Sequence, residues 1–145
     1  MSLPRQRATL MTLGVTDLHR ARRFYAVWGW TPRPSDAKGV VFYQMHGAAL
    51  ALFPLDELTA DQGRPGASLG TGAIALAQNC ADPAETDAVW QSAVEAGATA
   101  LKRPEKVFWG GYSGYVADPD GHVRDISHNP FWQLDADGNL SPEAI

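Results

Sequence analysis

The stretch "DPAETDAVWQSAVEAGA", Asp82 to Ala98, carries both ends of one helix. Asp82 is placed to cap the first turn, where Pro83 loses nothing by lacking an N–H. Glu85 completes a capping box and Gly97 ends the helix. The same plan occurs earlier in "TDLHRARRFYAVWGW", Thr16 to Trp30. There Thr16 or Asp17 is the cap and Gly29 the C-terminal stop, and Leu18, Ala21, Tyr25 and Trp28 share one face.

The surroundings of the two helices also repeat. A β-branched, apolar segment precedes each, "RATLMTLGV" from Arg7 and "GAIALAQNC" from Gly72, and reads as a strand. After the first helix come "WTPRPSD", a poor edge strand with two prolines, then "GVVFYQMHG" and "AALALFP", a hairpin turning at His46-Gly47. After the second come "TALKRPEKV", "YSGYVAD" and "HVRDISH". Aligned at Leu10 and Ala73, the halves match through "GWT" and "GAT". Repetition of a whole supersecondary unit decides the fold more firmly than any one motif. The expected class is α+β: two βαβββ modules forming a curved mixed sheet around a cleft. The expected boundaries are 1–66 for the first module, 67–72 for a glycine-rich linker, 73–132 for the second module and 133–145 for a surface tail. One domain results, because each module alone leaves a bare sheet face.

Charge and composition narrow the function. Twelve basic against sixteen acidic residues give −4, with no basic stripe, which argues against nucleic acid and anionic membranes as partners. No apolar run is long enough to span a bilayer, and the N-terminal residues lack a signal-peptide core, so a cytoplasmic location is expected. Cys80 is the only cysteine and excludes an internal disulfide.

The turn "DPDG", Asp118 to Gly121, leads into "HVRDISH". Pro119 presets one torsion, Asp120 can bond its own backbone and Gly121 tolerates positive φ. Strand alternation places Val123, Asp125 and Ser127 on one face and Arg124, Ile126 and His128 on the other. Ser127 and His128 therefore cannot meet as nucleophile and base.

"LGVTDLHRARRFYAVWGW" in the first module and "GYVADPDGHVRDISHNP" in the second together resemble the vicinal-oxygen-chelate superfamily. That family includes glyoxalase I, extradiol dioxygenases, fosfomycin-resistance enzymes and bleomycin-binding proteins. The resemblance implies a ligand cavity lined by the sheet. In the metal enzymes it also implies His, Glu or Gln ligands on the first and last strands of each module. Here those positions fall at Leu10, Ala73, about Ala51, and Asp125. Aliphatic side chains offer no lone pair, so no metal site and no cofactor are expected.

The resemblance turns the Asp125 face toward the cavity. Asp125 is then a hydrogen-bond acceptor for a ligand, a structural carboxylate, a metal ligand or a catalytic base, and it is the best candidate for a base if a reaction occurs. His128, at the strand end, is a candidate ligand contact. "VFWGGYSGY" sets four aromatic rings among glycines, so Phe108, Trp109 and Tyr112 are candidates to wall a pocket. Gln44 could present an amide to the same ligand. The expected function is binding of a small, flat or partly aromatic organic molecule in the sheet cavity without metal. The alternative is a glyoxalase- or dioxygenase-type enzyme using Asp125 as base or a non-standard metal site. A homodimer is expected as well, since short strands around an open cleft leave edges and apolar faces.

Overall fold

The computed structural model describes residues 3–140, and Met1, Ser2 and 141–145 of the expected tail lie outside them. The chain divides into two compact units between Ala67 and Ser68. The class is α+β, with two mixed sheets in βαβββ-like modules.

The first unit runs β1 (Leu10–Val15), α1 (Leu18–Trp28), β2 (Val41–Met45), β3 (Ala48–Pro54) and α2 (Leu55–Asp61). Its sheet has the order β1-β3-β2, with β1 parallel and β2 antiparallel to β3. Asp17 caps α1 by accepting from the Arg20 N–H at 3.0 Å, and Gly29 ends it at φ 109°. The buried residues of α1 are Ala21, Phe24 and Tyr25, so Phe24 belongs to the packed face along with Tyr25. The Tyr25 ring meets Tyr43 on β2, which identifies the covered face: Tyr43, Leu50, Leu52 and Val15 point to α1 and are fully buried or nearly so.

Two expectations fail in this unit. "WTPRPSD" forms no strand, because prolines at 32 and 34 remove two ladder donors. One bond remains, from the Arg33 N–H to the Phe42 carbonyl at 2.7 Å. The three strands expected after α1 are thus two. The additional element is α2, whose first turn holds Asp56 and Glu57, the charges a helix N-terminus favours. It packs against Gly14, where any Cβ would stand 2.6 Å from the Leu55 side chain.

The second unit matches its expected pattern: β4 (Ala75–Asn79), α3 (Pro83–Ala96), β5 (Thr99–Lys106), β6 (Tyr112–Ala117) and β7 (Val123–His128). The sheet order is β4-β7-β6-β5, with β4 and β7 parallel and the rest antiparallel. Asp82 accepts from the Glu85 N–H at 2.8 Å, while the Glu85 carboxylate reaches the Ala81 N–H, one residue before the expected capping-box partner. Gly97 ends α3 at φ 116°. In the 118–122 turn it is Asp118 that bonds the backbone, accepting from the N–H groups of Asp120 and His122 at 3.0 and 2.9 Å. Among the described residues no helix is long and apolar enough to cross a membrane.

Candidate functional site

The five-residue turn fixes how β6 and β7 pair. Ala117 faces Val123, so Tyr115 must face Asp125 and Ser113 must face Ser127. On the opposite side of β6, Tyr112 donates its hydroxyl to Asp87 of α3 at 2.7 Å, and Val116 and Ile126 are wholly buried. That side is the helix-covered one. Alternation turns Ser113, Tyr115, Asp125 and Ser127 to the face away from α3.

Two polar rows cross this face. One runs Ala77, Asp125, Tyr115, Lys102, and the other Asn79, Ser127, Ser113, Glu105. Asp125 is the hub. Its Oδ1 accepts from the Ser113 hydroxyl at 3.1 Å and also from the Ser127 hydroxyl. Ser127 and Ser113 lie 3.1 Å apart. Ser127 has one proton, so the protons either converge on Asp125 or pass from Ser127 to Ser113 to Asp125. Both serines are buried, whereas Asp125 and Tyr115 are half-buried. Lys102 and Glu105 form an ion pair at 3.3 Å.

The Asp125 charge raises the Tyr115 hydroxyl above the ordinary tyrosine range, and burial and a hydrogen bond to Asp125 act in the same direction, against the lowering effect of Lys102. Stability from this contact is therefore present below the ordinary tyrosine pKa and lost as pH rises through the folded-state value. Asp125→Asn is expected to move the Tyr115 titration to lower pH, followed by site-resolved NMR of the tyrosine rings. Tyr112, raised mainly by its bond to Asp87, is expected to stay where it was.

Within the second unit the other sequence candidates do not gather around Asp125. Tyr112 and His128 pair with each other on the helix side, with His128 Nδ1 2.9 Å from the Cys80 carbonyl. Tyr112 thus does not wall a concavity with Asp125, because alternation from Ser113 turns it to α3. Phe108 is fully exposed at the tip between β5 and β6, and the Trp109 ring lies across Gly111, where a Cβ would be 1.9 Å from it. Gln44 belongs to the first unit and donates to the carbonyls of Met45 and Ala48 in its own hairpin, at 2.8 and 3.3 Å. Ser113, Tyr115 and Lys102 were not expected, though pairing across the turn would have shown the first two.

The donor set does not suit a divalent ion. Leu10 and Ala51 are aliphatic positions on β1 and β3, Ala73 precedes β4, and no three His, Cys, Asp or Glu side chains converge among the described residues. Of the four positions that the resemblance gives to metal ligands, Asp125 alone carries an anionic oxygen.

Each unit is a βαβββ-like module built on a mixed sheet, an α+β arrangement. The chain belongs to the Glyoxalase/Bleomycin resistance protein/Dioxygenase superfamily, whose profile matches residues 8–125. It is similar to a glyoxalase-related enzyme from Fulvimarina pelagi at 36% identity, with 94% of this chain and 97% of that one covered and a TM-score of 0.86. A glyoxalase/bleomycin resistance protein/dioxygenase from Nocardioides is 20% identical, with coverage of 88% and 85% and a TM-score of 0.72. Lactoylglutathione lyase from Agrobacterium tumefaciens is 23% identical, with coverage of 91% and 100% and a TM-score of 0.66. These last two show the fold alone. No curated protein matches the sequence.

Proposed function

We propose that this protein binds a small organic molecule against the Asp125 face of its second sheet, by hydrogen bonding and packing and without a metal ion. The observation that carries this reading is the Asp125 hub: a half-buried carboxylate oriented by two buried serines on a face that α3 leaves uncovered. Groups fixed in this way present an acceptor at little further entropic cost, as a specific binding site requires. Protein purified without chelator is expected to hold well below one equivalent of zinc, nickel, iron or manganese by elemental analysis. A stoichiometric ion that disappears in Asp125→Ala would overturn the metal-free reading.

The Fulvimarina relative, described as a glyoxalase-related enzyme, supports a second reading in which Asp125 acts as a base. Turnover in the lactoylglutathione lyase reaction, abolished by Asp125→Asn in folded protein, would favour it. We further propose a homodimer. Leu10, Val27, Ile74 and Phe131 are large apolar residues left exposed on the single chain. Light scattering at micromolar concentration should give twice the chain mass, and a monomer would count against pairing.

A further inference from the structure

The charges on the Asp125 face do not balance. Lys102 is engaged with Glu105 at 3.3 Å, and those two cancel. Asp125 meets only neutral partners, the hydroxyls of Ser113, Ser127 and Tyr115, and no cationic side chain among the described residues pairs with it. Arg124, its neighbour in sequence, points to the opposite face. The face therefore carries one net negative charge on a carboxylate that is half-buried and held in position.

Hydroxyl donors bond a carboxylate without neutralising its charge. An ionised carboxylate has about four acceptor positions, and at most three hydroxyl donors leave room for a further one. A ligand donor that is itself charged makes a bond roughly twice as strong as a neutral one. It also relieves the uncompensated charge, whereas an anion on the ligand would be repelled. Resting on the binding reading above, we propose that the ligand group received at Asp125 is a nitrogen cation bearing N–H, of the primary amine, amidine or guanidine class. The ligand's apolar part would lie along Ala77, which shares the row with Asp125 and is exposed.

Three probes of one shape separate the possibilities: benzylamine, benzyl alcohol and benzoate. Each is titrated into isotopically labelled full-length protein, with the backbone amide signals of Ser113, Tyr115, Asp125 and Ser127 followed by NMR. Benzylammonium is expected to shift these signals with an affinity at least about tenfold above that of benzyl alcohol, the preference shrinking as salt screens it. Benzoate is expected to leave them unmoved. In Asp125→Asn the amine and the alcohol should bind alike. If benzyl alcohol matches benzylammonium in the unmodified protein, the cation proposal fails and the binding face stands. If none of the three probes moves the four signals, both are overturned. The comparison within the unmodified protein decides the outcome even if Asp125→Asn folds poorly.

Discussion

Trp90→Ala is expected to destabilise the second unit by about 3–5 kcal/mol, the range for removing a large buried aromatic. Trp90 sits mid-way along α3, 5% exposed, and its indole Nε1 donates to the Tyr115 carbonyl at 3.1 Å. The Arg103 guanidinium lies over the ring, 5.6 Å from its centroid. Truncation would leave a cavity between helix and sheet, remove the bond to β6 and release the arginine. The site should also respond, because the Tyr115 backbone is tied to Trp90 on one face while its side chain meets Asp125 on the other. Trp90→Phe keeps most of the buried ring and loses the bond, so a smaller cost near 1 kcal/mol is expected. Urea unfolding monitored by circular dichroism measures both. A Trp90→Ala unfolding free energy within about 1 kcal/mol of the unmodified protein's would mean that α3 does not depend on this anchor.

Gly114→Ala is expected to cost about 1–3 kcal/mol, the range for overpacking, although alanine adds a single methyl group. A Cβ at Gly114 would stand 2.7 Å from the Pro104 nitrogen and 2.8 Å from the Lys102 carbonyl oxygen. Both are backbone atoms, so a rotamer change cannot relieve the clash and β5 itself must move. The backbone at 114 has no positive φ, so the requirement for glycine here is one of space. Gly70→Ala is the matched control: nothing lies within 4 Å of its Cβ and its φ is not positive either, so a change within about 0.5 kcal/mol is expected. Equal midpoints for the two variants would show that β5 yields freely.

The repeat was legible because both long helices carry their own punctuation. Asp17 with Gly29, and Asp82 with Gly97, are local signals that tertiary packing did not override. Helix α2 was missed for the opposite reason. Seven residues are too few to establish a periodicity, and its acidic first turn directly follows a strand that ends at Pro54. "WTPRPSD" pairs as no strand at all, not even the poor edge strand that the repeat suggests, because Pro32 and Pro34 have no N–H to give a ladder. For the site, alternation along β7 placed Asp125 and Ser127 correctly relative to each other. The partners on β6 needed the pairing register, which the turn length could have provided. The aromatic residues of "VFWGGYSGY" are divided: Phe108 and Trp109 occupy a hairpin tip and Tyr112 a helix contact, so rings close in sequence do not share one surface.

Strand β5 has a consequence for solubility. It is the outermost strand of its sheet, and its pairing to β6 shifts register between Ala100 and Lys102 and again between Lys102 and Glu105. Pro104 lies within the second shift, and Lys102, Arg103, Glu105 and Lys106 surround it. A foreign strand seeking to dock along this border would meet a broken template, a missing donor and charges that must shed water. Such irregularities guard against runaway cross-β growth. The close approach permitted by Gly114 thus bears on protection as well as packing. A substitution that straightened β5 would be expected to trade a smoother sheet for a protein more prone to fibril formation on storage.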